Sequence, residues 1–172
     1  MIFVGGTAAL WDAAVVQPQR KERTQMKEKE LADRLIAAWH TNDPFELCQM
    51  LDILVVPVPL ADEIRGFYQH ALNTHIIYLN RSLEALQKKF VCAHELGHAM
   101  LHPLDNRIFL DTATYQVTAR LEQAANRFAC HLLYPEDSAF LEYPEYTAEQ
   151  TAACLGLPPE LVEYRWALLR QP

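Results

Sequence analysis

The feature that most restricts this chain is His94-Glu95-Leu96-Gly97-His98, set inside SLEALQKKFVCAHELGHAMLH. That stretch reads as one helix of about twenty residues, opened by Ser82 as a capping residue and stopped by Pro103. Two histidines four apart on a helix share a face, one turn apart, with Cβ atoms about 5–6 Å from each other. Both imidazoles can then reach one metal ion at about 2.0–2.1 Å. Glu95 stands about 100° round the helix from His94, near enough to exchange a proton with water at the metal without being a ligand. The pattern is H-E-x-x-H, and it points to Zn2+ and to amide hydrolysis. Zinc would supply Lewis acidity, while Glu95 would act first as base and then as acid towards the leaving amine.

Two imidazoles need a third ligand, and geometry excludes the nearest one. His102 is eight residues beyond His94, about 12 Å along the helix axis, so the three side chains cannot share an ion. The extended pattern H-E-x-x-H-x-x-G-x-x-H fails too, because Leu101 and Leu104 occupy the places of its Gly and last His. A later apolar stretch, TARLEQAANRFACHLLY, reads as a helix from Thr118 to the break at Pro135 and offers Glu122, with Asn126 one turn on. Glu122 could complete a His, His, Glu set; on composition alone Asp105, Asp111 and His131 compete with it. Asn126 could orient a ligand or equally bond nearby backbone.

The rest of the chain is consistent with one soluble catalytic domain. Its 172 residues can bury one core. A formal net charge of -7 disfavours broad phosphate binding, so nucleic acid is not expected as a direct partner. Cys48, Cys92, Cys130 and Cys154 form no CxxC pair and fall within apolar helical patterns, as expected of reduced, buried thiols in the cytoplasm. The N-terminal stretch lacks the basic start of a signal peptide, and no apolar run approaches the ~20 residues of a membrane-spanning helix. We expect no membrane association.

Periodicity divides the chain into residues 1–25, a loosely attached extension; 26–135, the catalytic domain; and 136–172, a helical hairpin packed on it. Leu31, Leu35, Ile36 and Trp39 share one face of a helix from Met26. Asn42-Asp43-Pro44 starts a short second helix. ILVVPVPL, RGFYQ and THIIYLN read as three short strands of a small antiparallel sheet, the prolines suiting the first to an edge of the sheet or an exit from it. THIIYLN could present an edge to an extended substrate. Thr147 and Gln150 form a capping box ahead of the last two helices.

Together, CAHELGHAMLH and EQAANRFACHLLYP resemble the ImmA/IrrE family of metallopeptidases in order and separation, over roughly Met26 to Pro135. The resemblance implies a zincin-like α+β fold, mostly helical, with the small sheet preceding the H-E-x-x-H helix. It implies His94, His98 and Glu122 as zinc ligands, Glu95 as catalytic acid and base, and a protein substrate, a repressor of the helix-turn-helix type. Ala124 stands where a second Glu or Gln is common, and Tyr134 replaces a usual Met; neither removes a ligand.

For the oxyanion, Tyr115, His131 and Tyr134 are candidates by sequence proximity, whereas His40, His70 and His75 read as structural. Two other classes of function compete. TAEQTAACLGLPPELVEYRW resembles half of a helix-turn-helix, as in a DNA-binding regulator with a structural metal, Arg165 and Arg170 being its available cations. A protein that sequesters a repressor without turnover would retain the same residues.

Overall fold

The computed structural model describes residues 26–101 and 115–171. Residues 1–25, read as an extension, and Asp105 and Asp111 lie outside them. Helices α1 (Met26–Trp39) and α2 (Pro44–Met50) lead into strands β1 (Ile53–Val58), β2 (Gly66–Ala71) and β3 (Thr74–Asn80). Then come α3 (Ala85–Leu101), α4 (Tyr115–Leu133), the single turn α5 (Ser138–Leu141), α6 (Ala148–Leu155) and α7 (Pro159–Leu169). The architecture is α+β and mostly helical, with the sheet preceding the helix that carries His94 and His98.

Local chemistry accounts for most of these boundaries. Asp43 caps α2 by accepting from the amides of Phe45 and Glu46, and Pro44 occupies a first-turn position where no amide donor is needed. Thr147 and Gln150 make the capping box of α6. The long helix does not start at Ser82. The Ser82 amide and hydroxyl both bond Oδ1 of Asn80, and α3 begins at Ala85, with the Gln87 side chain accepting from the Glu84 amide. Helix α4 begins at Tyr115, three residues ahead of Thr118.

The sheet is mixed, which corrects the expectation of an antiparallel one. Strand order is β1-β3-β2; β2 and β3 are antiparallel, but β1 runs parallel to β3. Leu72 and Asn73, both at positive φ, make a two-residue turn that keeps β2 and β3 adjacent. Residues 59–65 carry the chain from the end of β1 past that neighbouring position, so β3 inserts between the other two. β1, with Pro57, takes one edge, where a residue without an amide donor is tolerated, and β2 takes the other. THIIYLN is therefore the central strand, with both sides paired, and presents no edge to a substrate.

Helix α3 packs on the sheet through β2 and β3, and α4 lies along α3 with α1 behind it. From Phe90 to Met100 every residue of α3 but His94 is buried. Tyr68, Ile77 and Leu79 of the sheet, Leu35 of α1 and Phe128 and Leu132 of α4 share its core, as do Ala152, Leu157 and Val162 near the C-terminus. Cys48, Cys92 and Cys130 are buried thiols, and burial pushes Cys130 up to about 12. Cys154 is exposed, against expectation, because its position on α6 faces away from the core.

Candidate metal centre

The 3.6-residue period of α3 puts His94 and His98 on one face, and the structure turns that face to α4. Their Nε2 atoms lie 3.1 Å apart. Glu122 reaches in from α4, with Oε2 3.4 Å from Nε2 of His94 and Oε1 3.9 Å from Nε2 of His98. Gly97 permits this approach, since a Cβ there would come within 2.9 Å of the Phe128 ring and 3.2 Å of the Ala125 Cα.

The donor set suits a metal. Tetrahedral bonds of about 2.0–2.2 Å to two imidazole nitrogens and a carboxylate oxygen separate the donor atoms by about 3.3–3.4 Å. The two imidazole nitrogens stand 3.1 Å apart, the nearer Glu122 oxygens stand 3.4 Å (Oε2) and 3.9 Å (Oε1) from them, and one donor atom from each residue lies within 4.8 Å of the others. An ion placed between the two Nε2 atoms would be within reach of both imidazoles. His94, His98 and Glu122 could hold a metal ion. Glu95 is 3% exposed, with Oε1 4.0 Å from Nε2 of His94, beside this cluster and not part of it.

Asn126, which the sequence left between two roles, lies against a proposed ligand. Its Oδ1 is 2.8 Å from Nδ1 of His94. A carbonyl oxygen only accepts, so Nδ1 carries the proton and Nε2 keeps its lone pair for a metal. The signal was the interval from Glu122 to Asn126, one turn of the same helix face.

The other candidates lie elsewhere. His131 is buried between α4 and α7, where Nδ1 accepts from Arg165 at 3.0 Å and Nε2 meets the Tyr164 hydroxyl at 3.1 Å. Burial, with the Arg165 charge adding to it, pushes its pKa down to about 4. The Tyr134 hydroxyl donates to the Leu155 carbonyl. The side chain of Tyr115 lies outside the described residues. His70 and His75 stack on each other across β2 and β3, and His40 is exposed just past α1. Arg165 is 2% exposed and held by Asp137, His131 and the Tyr134 carbonyl, which removes one of the two cations a DNA-reading helix would use.

A cleft of about 390 Å3 opens beside His94 and Glu95, walled by Ile64, Arg65 and Gly66, by Phe90 and Val91, and by Pro158. Asn80 fixes the first wall. It is buried, its Nδ2 donates to the carbonyls of Leu60, Ala61 and Ile64, and its amide donates to Arg65. No sequence signal marked Asn80 or the 63–66 segment, because their effect depends on where the mixed sheet places them.

Residues 48–167 match the family model of peptidase M78, the IrrE N-terminal-like domain. The chain belongs to this family of metallopeptidases. Among its relatives is uncharacterized immunity region protein 2 of Bacillus phage phi105, 37% identical over 139 residues, which cover 80% of this chain and 87% of that protein. Another is metallopeptidase ImmA of Bacillus subtilis (strain 168), 28% identical over 142 residues, covering 80% of this chain and 82% of that one. Membership of the IrrE-like family agrees with the α+β architecture. Among the described residues no helix is long and apolar enough to cross a membrane.

Proposed function

We propose that the chain is a zinc-dependent endopeptidase that hydrolyses a peptide bond of a protein target, a helix-turn-helix repressor. The observation that carries this reading is the convergence of His94, His98 and Glu122 at 3.1, 3.4 and 3.9 Å, with Glu95 buried beside them at the head of a cleft. Zinc, when bound, supplies Lewis acidity towards water and a substrate carbonyl. The side chains do the rest. His94, His98 and Glu122 hold the ion, Asn126 fixes the tautomer of His94, and Glu95 takes a proton from water at its carboxylate and returns it to the leaving nitrogen. Phe90, Val91 and the 64–66 wall flank the substrate, and β2, the edge strand that opens this wall, can add an extended backbone.

The repressor as target follows from the ImmA/IrrE resemblance, and the phage relative named for an immunity region supports it. A target of that kind places the enzyme in the cytoplasm. The test is to incubate the purified chain with a helix-turn-helix repressor from the same genome, with and without chelator. Fragments that vanish with chelator are expected. An intact repressor at full zinc occupancy would refute the target, and derepression that survives Glu95→Gln would refute proteolysis as its cause and favour sequestration.

A further inference from the structure

A second cavity adjoins the cleft on the side away from the metal centre. Arg65 and Pro158 line both the space beside His94 and Glu95 and a larger one of about 550 Å3 over the start of α3. Leu86 forms one side of the larger space; Ala152, Ala153 and Leu157, from the corner between α6 and α7, form the other. Ala152 and Leu157 are buried and make the floor, whereas Leu86 and Ala153 stand exposed at the rim. At the far end the corner closes onto α3 through Gly156. Its φ is +67°, and a Cβ there would come within 2.8 Å of the Leu86 Cβ, so only glycine allows the contact.

The dimensions match an extended polypeptide. Leu86 and His94 are eight residues apart on one helix, about 12 Å at 1.5 Å per residue. An extended chain covers that distance in about three to four residues. Among the described residues the only charged side chains along the larger space are Arg65 and Glu84, one of each sign, which suits a peptide better than a polyanion.

Resting on the peptidase reading above, we propose that this groove is a specificity subsite. It takes an apolar side chain of the protein substrate about three to four residues from the bond to be cut. Two features of the groove argue for this occupant: it adjoins the catalytic cleft across Arg65 and Pro158, and its floor, Ala152 and Leu157, is apolar.

The test pans a displayed library of random peptides against the full chain carrying Glu95→Gln and loaded with Zn2+. Enriched peptides should share an apolar residue at a fixed position. Leu86→Asp and Ala153→Asp, both at exposed positions, should weaken their binding by about ten- to hundredfold, the effect of losing one buried apolar side chain. Leu141→Asp, on an exposed surface outside both cavities, should leave binding unchanged, and circular dichroism should show all three variants folded. Enrichment that is equal on the Leu86→Asp chain, or none above it, would overturn the proposal. The same peptides given to the wild-type chain separate the two readings. Groove-dependent binding without cutting would support the groove and refute the peptidase, whereas cutting indifferent to the groove substitutions would refute the groove and keep the peptidase.

Discussion

Replacing Gly97 by alanine tests whether the close seam between α3 and α4 builds the candidate metal centre. The added methyl would lie 2.9 Å from Cδ1 of Phe128, 3.2 Å from Cα of Ala125 and 3.3 Å from its carbonyl oxygen. Phe128 is fully buried and the other two atoms are backbone, so no side-chain rotation relieves the contact and α4 must shift. Two effects oppose each other. Alanine favours the helix by about 1 kcal/mol over glycine, while overpacking a core costs about 1–3 kcal/mol. A net loss of about 1 kcal/mol lowers Tm by about 2–4 °C for a chain of this size. Because α4 carries both Glu122 and Asn126, the same shift should weaken zinc binding by about tenfold or more. Thermal melts in chelator read the first effect, and competition against a chromophoric chelator reads the second. A metal-free Tm at or above wild type together with unchanged zinc affinity would show that the seam is not tight.

Glu95→Gln should lower turnover by about 100- to 10,000-fold while zinc still binds, as measured by fragment yield and metal titration; equal turnover would remove Glu95 from the chemistry. Asn126→Ala should cost about ten- to hundredfold in zinc affinity, and an unchanged competition curve would leave Asn126 no part in holding His94. His131 has a folded pKa near 4 against an ordinary value of 6.5, so its unfolded form binds a proton first as pH falls. Its contribution is therefore complete above pH 6.5 and lost towards pH 4, at up to about 1.4 kcal/mol per unit. Denaturant melts of metal-free protein at pH 7 and pH 5 should show a smaller drop for His131→Gln, and an identical drop would assign the loss to other groups.

What could be read before the structure was what short-range rules govern. The spacing of His94 and His98, the Asp43-Pro44 start of α2 and the Thr147 capping box are each decided within one turn of helix. The edge position of β1 was legible because Pro57 cannot donate to a ladder. Its parallel pairing was not, since nothing in ILVVPV says which later strand it will meet. Glu122 was one acid among several until a second sequence block singled it out; its distance from the histidines depends on packing at Gly97, which spacing does not reveal. Asn126 was suspected but undecided, for an asparagine on a helix has backbone partners nearby. The walls of the cleft come from residues 63–66, 90–94 and 158, and only the tertiary fold joins them.

The three residues that could hold a metal ion differ in shelter: the side chain of His98 is 4% exposed, that of His94 13% and that of Glu122 38%. The carboxylate is thus the gatepost. It is the side of the cluster that meets solvent, whereas His98 lies inside the core. A metal ion held by these three residues would therefore face solvent on its Glu122 side and protein on its His98 side.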